Sequence, residues 1–180
     1  MPTNKKTDTD KSLYVWASLR ISLGFIFLWA FLDKLIGLGF ATCRNVKTDA
    51  IEVMCSKAWL EGGSPTTGFL KNAVQGPFAE FYRGLAGNTF IDWLFMAGLL
   101  GIGLALLLGV GVRVAAVAGS LLLLMMWTAA LWPANNPVLD DHLVYILVLI
   151  GVMLVNNRQV WGLGGWWATQ SVVKKFPLLK

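Results

Sequence analysis

Asp140, Asp141 and His142 stand together just before an apolar run, and His142 is the one histidine of the chain. An imidazole titrates near neutrality, so beside a carboxylate it forms a pair able to take up and release protons. Asp33, Lys34 and Asp92 lie at the margins of other apolar runs. Charge inside a lipid-spanning helix costs about 2.5–3.5 kcal/mol per residue on insertion scales, so such residues face protein and usually have a function. Asp33, Asp92, Asp141 and His142 are therefore the candidate catalytic rim, and Tyr145 lies one turn below Asp141 on the same helix face. Lys34, Arg44, Lys47 and Lys57 are candidates to attract an anionic substrate. The structural alternative is simpler: carboxylates at helix N-termini are favoured by the helix dipole. Neighbouring helical residues point about 100° apart, so Asp33 and Lys34 are not an obvious ion pair.

The run Gly62-Gly63-Ser64-Pro65-Thr66-Thr67-Gly68 offers two readings. Glycines, hydroxyls and free amides before a helix can cradle an anion, which makes Ser64 and Thr66 candidate substrate contacts. The favoured alternative is an ordinary turn whose hydroxyls cap the next helix. Cys43 and Cys55 are the only cysteines. A structural disulfide in an oxidising compartment is the favoured reading. A redox-active pair would lack CxxC spacing. A metal site is not expected, because two cysteines need further ligands. Arg20 interrupts the first apolar run and is expected to snorkel toward headgroups as an anchor.

These residues must be positioned by membrane-spanning helices. The chain of 180 residues is 56% hydrophobic and only 14% charged, against about 25% charged in soluble domains. A helix needs about 20 apolar residues to cross a hydrocarbon layer of about 30 Å. The expected fold is all-α, an integral membrane four-helix bundle with spans at 13–39, 90–108, 113–132 and a short one at 141–155. The outer loop is 40–89, residues 1–12 are a disordered cytoplasmic N-terminus, and 168–180 form a basic tail. The first run is too long for a cleaved signal peptide. Segments 67–73 and 77–85 are too short to span, and read as amphipathic pieces on the surface or dipping into the bundle. Nine tryptophans fall mostly near run ends, as an interfacial belt would place them.

Lys5, Lys6 and Lys11 precede the first span, Arg113 lies in the turn between the second and third, and Arg158, Lys174, Lys175 and Lys180 follow the fourth. The segment 133–141 has no cation. The positive-inside rule then puts both termini in the cytoplasm of a multi-pass plasma-membrane protein. The formal charge of +5 is scattered beside apolar runs, so lipid headgroups are the expected partner and nucleic acid is not. Ala97, Gly101, Ala105 and Gly109 recur every four residues, with Gly111, Ala115 and Gly119 continuing the pattern. Such a stripe lets helix backbones approach closely. Internal packing is favoured over a dimer face because the connecting turn is short.

One histidine and no CxxCH motif argue against covalent or bis-histidine haem, and no dinucleotide fingerprint is present. No covalent cofactor is expected, while a bound quinone is compatible with an aromatic-lined bundle. Leu19-Arg20-Ile21-Ser22-Leu23-Gly24 through Leu32-Asp33-Lys34 resembles the opening helix of the DoxX family. The Gly62–Leu70 loop, the Gly-rich second span and Asn135-Asn136-Pro137-Val138-Leu139-Asp140-Asp141-His142 resemble its DoxX/DoxD branch, over Leu13–Trp167 in all. The resemblance implies a four-helix membrane protein linked to respiratory or sulfur redox chemistry, in which the DoxD type is a thiosulfate:quinone oxidoreductase subunit working with a second subunit. Two functions follow as expectations. One is a subunit passing electrons from an outer-side reductant such as thiosulfate to quinone, with Asp141 and His142 managing protons. The other is a non-catalytic accessory or scaffold subunit of a respiratory or redox complex. A transporter fits less well, since four spans leave little room for a two-repeat pathway.

Overall fold

The computed structural model describes residues 5–45, 47–134, 136–156 and 159–179, with backbone alone for 5–10. Arg158, Lys180 and Asn135, used above, lie outside the described residues, as does the start of the N-terminal segment at 1–4. Among the described residues the chain is helical, with two isolated β-bridges and no strand. Helix α1 (Lys5–Leu32) runs into a π-helical turn, Asp33–Gly37. A 3₁₀ turn at Trp59–Glu61 and two short helices, α2 (Thr67–Asn72) and α3 (Ala79–Gly84), follow. Then come α4 (Thr89–Leu108), α5 (Val112–Ala129) and α6 (Asp141–Val155). The C-terminal segment holds α7 (Gly164–Trp167), α8 (Ser171–Lys175) and a 3₁₀ turn, Pro177–Leu179.

Three stretches, Lys11–Gly37, Thr89–Leu108 and Val112–Ala129, are long and apolar enough to cross a membrane, and Asp141–Val155 is a shorter apolar helix. These match the runs read from the sequence to within a few residues. Local chemistry sets their ends. Asn88 Oδ1 accepts from the amides of Phe90 at 2.9 Å and Ile91 at 3.4 Å, which caps α4. Gly109 and Gly111 take positive φ between α4 and α5, the conformation in which helices stop and turn. Asn136 Oδ1 accepts from Val138 and Leu139 amides, both at 2.9 Å, just before α6. Helix α1 starts upstream of the Leu13 boundary, so its first turns fall in the segment expected to be disordered.

The contacts divide the chain into two compact units. Unit 1 holds residues 1–25, 101–124 and 141–180, and unit 2 holds 26–100 and 125–140. Within unit 1, Gly24 lies so close to α4 that an added Cβ would stand 2.8 Å from the Leu107 amide nitrogen. The Trp16 ring likewise occupies the space a side chain at Gly151 would need. The tail expected to be a separate basic segment folds back: Arg113 donates to the Pro177 carbonyl at 3.2 Å, and Trp167 Nε1 donates to that of Leu179 at 2.5 Å. Within unit 2, Leu70, Val74, Tyr82 and Ala129 form a buried cluster that joins α2, α3 and the end of α5.

The small-residue stripe needs correction. Ala97 and Gly101 are exposed, and nothing lies within 4 Å of a Cβ built at Gly101. The buried face of α4 is instead Met96, Leu99, Ile102 and Leu106. A stripe pattern tells which face is smooth, but not whether that face meets protein or lipid. In α5 the stripe is buried at Ala115 and Gly119.

Cys43 and Cys55 are joined, closing a ring over a sequence separation of 12. Inside it, the Glu52 amide donates to the Cys43 carbonyl at 3.1 Å, and the Asn45 amide to that of Ala50 at 2.9 Å. Replacing both cysteines with serine is expected to destabilise unit 2 by about 3 kcal/mol through the freed loop entropy. Peptide mass spectrometry under non-reducing conditions should recover the linked pair. Two free thiols in protein alkylated before lysis of native membranes would refute it.

Candidate functional site

Asp92 sits in the first turn of α4 with its side chain turned inward, and is 6% exposed. Its Oδ1 accepts from Ser64 Oγ at 2.9 Å, from Thr66 Oγ1 at 2.5 Å and from the Thr66 amide at 3.3 Å. Ser64 Oγ in turn accepts from Thr67 Oγ1 at 2.7 Å and from the Thr67 amide at 3.2 Å. The Gly62–Gly68 loop therefore does bind an anion, but the anion is a carboxylate of the chain itself. The hydroxyls of Ser64 and Thr66, read as candidate substrate contacts, serve to bind this loop to α4. The Ser64 hydroxyl also takes up the first amide of α2, that of Thr67, while Thr66, the residue before the helix, makes no side-chain cap bond.

Asp33 is buried to 1% exposure in the π-helical turn. Its two oxygens accept from the amides of Phe40 at 3.0 Å and Ala41 at 2.9 Å, which turns the chain back after α1. Gly37 supplies the positive φ this reversal needs, packed against Cys43 and Ala58. Lys34 points elsewhere, its ammonium 6.0 Å from the centre of the Phe95 ring. Arg44 holds Asp49 in a two-pronged pair, Nε to Oδ1 at 2.6 Å and Nη2 to Oδ2 at 2.8 Å. Hydrogen bonding, then charge attraction, holds the Asp49 carboxyl below its usual range and the Arg44 guanidinium above its own. An arginine so paired presents little net charge to a substrate anion.

Asp141 and His142 open α6, with Asp141 Oδ1 3.6 Å from His142 Nδ1. Asp141 is largely exposed, His142 and Tyr145 half-buried. A carboxylate beside an imidazole can shuttle a proton, and Asp140, Asp141 and His142 bring three donor atoms of the kind a metal takes within 4.8 Å of one another. Closed structural metal sites commonly use four. The candidates thus group as Asp92 with Ser64 and Thr66, and as Asp141 with His142, while Asp33 has its own backbone partners. Asp33 and Asp92 belong to unit 2, and Asp141 and His142 to unit 1.

A polar centre that the sequence did not reveal surrounds Arg20 in unit 1. Arg20 is 2% exposed, so it does not snorkel to headgroups. Its Nη1 donates to the carbonyls of Leu106 and, at 3.2 Å, Leu107, in the last turn of α4. Its Nη2 donates to those of Trp161 at 2.7 Å and Val160 at 3.3 Å. The negative end of a helix and its unpaired carbonyls favour a cation there. Beside it, Gln159 Nε2 donates to Asn156 Oδ1 at 2.7 Å, and Gln159 Oε1 accepts from the Gly164 amide at 3.2 Å. Arg20, Asn156 and Gln159 help line a cavity of about 20 Å³, room for about one water. The arginine was visible in the sequence, but its partners are main-chain oxygens that every residue carries. Comparison of the chain with protein-family models, with curated proteins and with solved structures gave no match.

Proposed function

We propose that the chain is a DoxX-like four-helix membrane protein acting as a non-catalytic accessory subunit of a respiratory or other redox complex. The observation that carries this is the engagement of two of the four candidate catalytic groups. Asp33 and Asp92 accept hydrogen bonds from the chain's own amides and hydroxyls, and each fixes a loop to a helix. Carboxylates so engaged serve as braces, their acceptor oxygens taken up by the chain's own donors. The disulfide takes both cysteines out of thiol chemistry. In this proposal the chain works through the lipid bilayer and a second protein subunit. Both termini lie in the cytoplasm, which accords with the cation bias and with the Arg113 contact that holds the C-terminal tail at the α4–α5 turn.

A second function is favoured by one observation, the Asp141–His142 pair at the start of α6. In it, the pair manages protons for a quinone reduced by an outer-side donor such as thiosulfate. Mild solubilisation of native membranes, followed by identification of co-purifying subunits and quinone, tests the accessory role. Turnover of that complex should survive Asp141→Asn combined with His142→Ala when normalised to folded protein. A fall of about 100-fold or more, the scale of a lost general acid–base group, with unchanged melting would overturn the accessory role in favour of proton handling.

A further inference from the structure

We infer that the α2–α3 segment lies in the outer membrane–water interface, with Phe78 and Phe81 in lipid. It is not part of a water-exposed loop domain. This rests on the reading of the three long helices as membrane spans. Four contacts, all inside unit 2, fix its depth. The Gln75 amide donates to the Ala129 carbonyl at 3.0 Å, and Gln75 Nε2 donates to that of Trp132 at 3.0 Å. Tyr82 Oη and Thr128 Oγ1 share a hydrogen bond of 2.6 Å. Gly76, at positive φ, sits so close to the Leu131 carbonyl that a side chain there would overlap it. Ala129 is the last residue of α5, a helix of 18 residues. The end of a spanning helix lies at the edge of the hydrocarbon, so a segment bonded to that end is held at the same level.

The faces of α3 suit that depth. Ala79 is buried, and Tyr82 is buried in the cluster with Leu70, Val74 and Ala129. Phe78 and Phe81, three residues apart and so on one side, are 48% and 64% exposed. Glu80 is exposed and, at about 100° per residue, is placed well away from Phe78 and Phe81 around the helix. A helix with one face on protein, an aromatic flank and a charged back is built for a boundary between water and acyl chains. Met125 in the last turns of α5 and Trp132 just beyond that helix are also exposed. Tryptophan settles in this zone at the ends of spans, and phenylalanine is a usual apolar anchor of helices that lie in it.

Spin labels can locate the segment in the folded protein. Phe78→Cys, Glu80→Cys and Phe81→Cys are labelled without reductant, so the native disulfide stays closed, and reconstituted in phosphatidylcholine–phosphatidylglycerol vesicles. Collision with oxygen, which partitions into lipid, is compared with collision with a water-soluble nickel chelate. Leu104→Cys on exposed α4 serves as the lipid reference, and Lys47→Cys as the water reference. Oxygen should exceed nickel access severalfold at Phe78 and Phe81, with the ratio reversed at Glu80. Nickel access at Phe78 and Phe81 equal to that at Lys47, with Leu104 still in lipid, would overturn the inference and leave the membrane reading standing. Shielding from both reagents would also overturn it, by showing a protein partner on this face. Nickel access at Leu104 as well would defeat the membrane reading itself.

Discussion

Arg20→Leu is expected to insert into the membrane at least as well as the parent, yet to loosen the protein around the lost guanidinium by about 3 kcal/mol net. Two effects oppose. Removing a charge from a spanning helix saves about 2.5–3.5 kcal/mol of insertion cost. Against this, four carbonyls lose a charged donor, and charge-assisted bonds contribute about 1.5–3 kcal/mol each. Even at the low end of that range the lost bonds outweigh the saving. Melting in detergent should fall, and limited proteolysis should open the chain around Gln159–Trp161. Arg20→Lys should recover only part, because an ammonium is a point charge and cannot span the two carbonyl pairs. Melting of Arg20→Leu equal to that of the parent would show that these bonds contribute nothing.

Asp92→Ala should be comparably damaging, at about 2–4 kcal/mol, because it strands donors on buried Thr66 and half-buried Ser64. Asp92→Asn keeps an acceptor oxygen in place and should lose roughly half as much. The signature is local: faster cleavage or hydrogen exchange in the 62–68 loop, while the disulfide ring at 43–55 stays protected. Turnover of the complex should follow the folded fraction in both variants. If Asp92→Asn abolished turnover with melting and loop protection intact, Asp92 would belong to the chemistry and the accessory role would fail.

The long apolar helices were legible because apolar length of the kind that crossing lipid demands survives in a linear string. Lys11–Gly37, Thr89–Leu108 and Val112–Ala129 stand near where hydropathy put them. The cysteine pair was legible for a related reason, since two thiols in one loop have few alternatives. The roles of Asp33 and Asp92 were not. Both were recognised as charges needing a reason, but the reason is a set of amides and hydroxyls brought in by loops whose path hydropathy does not encode. The alternative that carboxylates serve structure was right in kind for both. It was wrong in detail, because they brace loops rather than simply occupy helix N-termini. The outward Ala97–Gly101 face was misjudged because smoothness is a sequence property and partnership is not.

The bonds of Arg20 also order events in time. Its partners lie 86 residues away at Leu106 and 141 away at Trp161. During synthesis α1 emerges with its guanidinium unanswered, and the last of these acceptors arrives only 141 residues later. A chain truncated before Val160 keeps half of that donor set unpaired. The arginine thereby delays closure of this part of unit 1 until the segment carrying Val160 and Trp161 has been made.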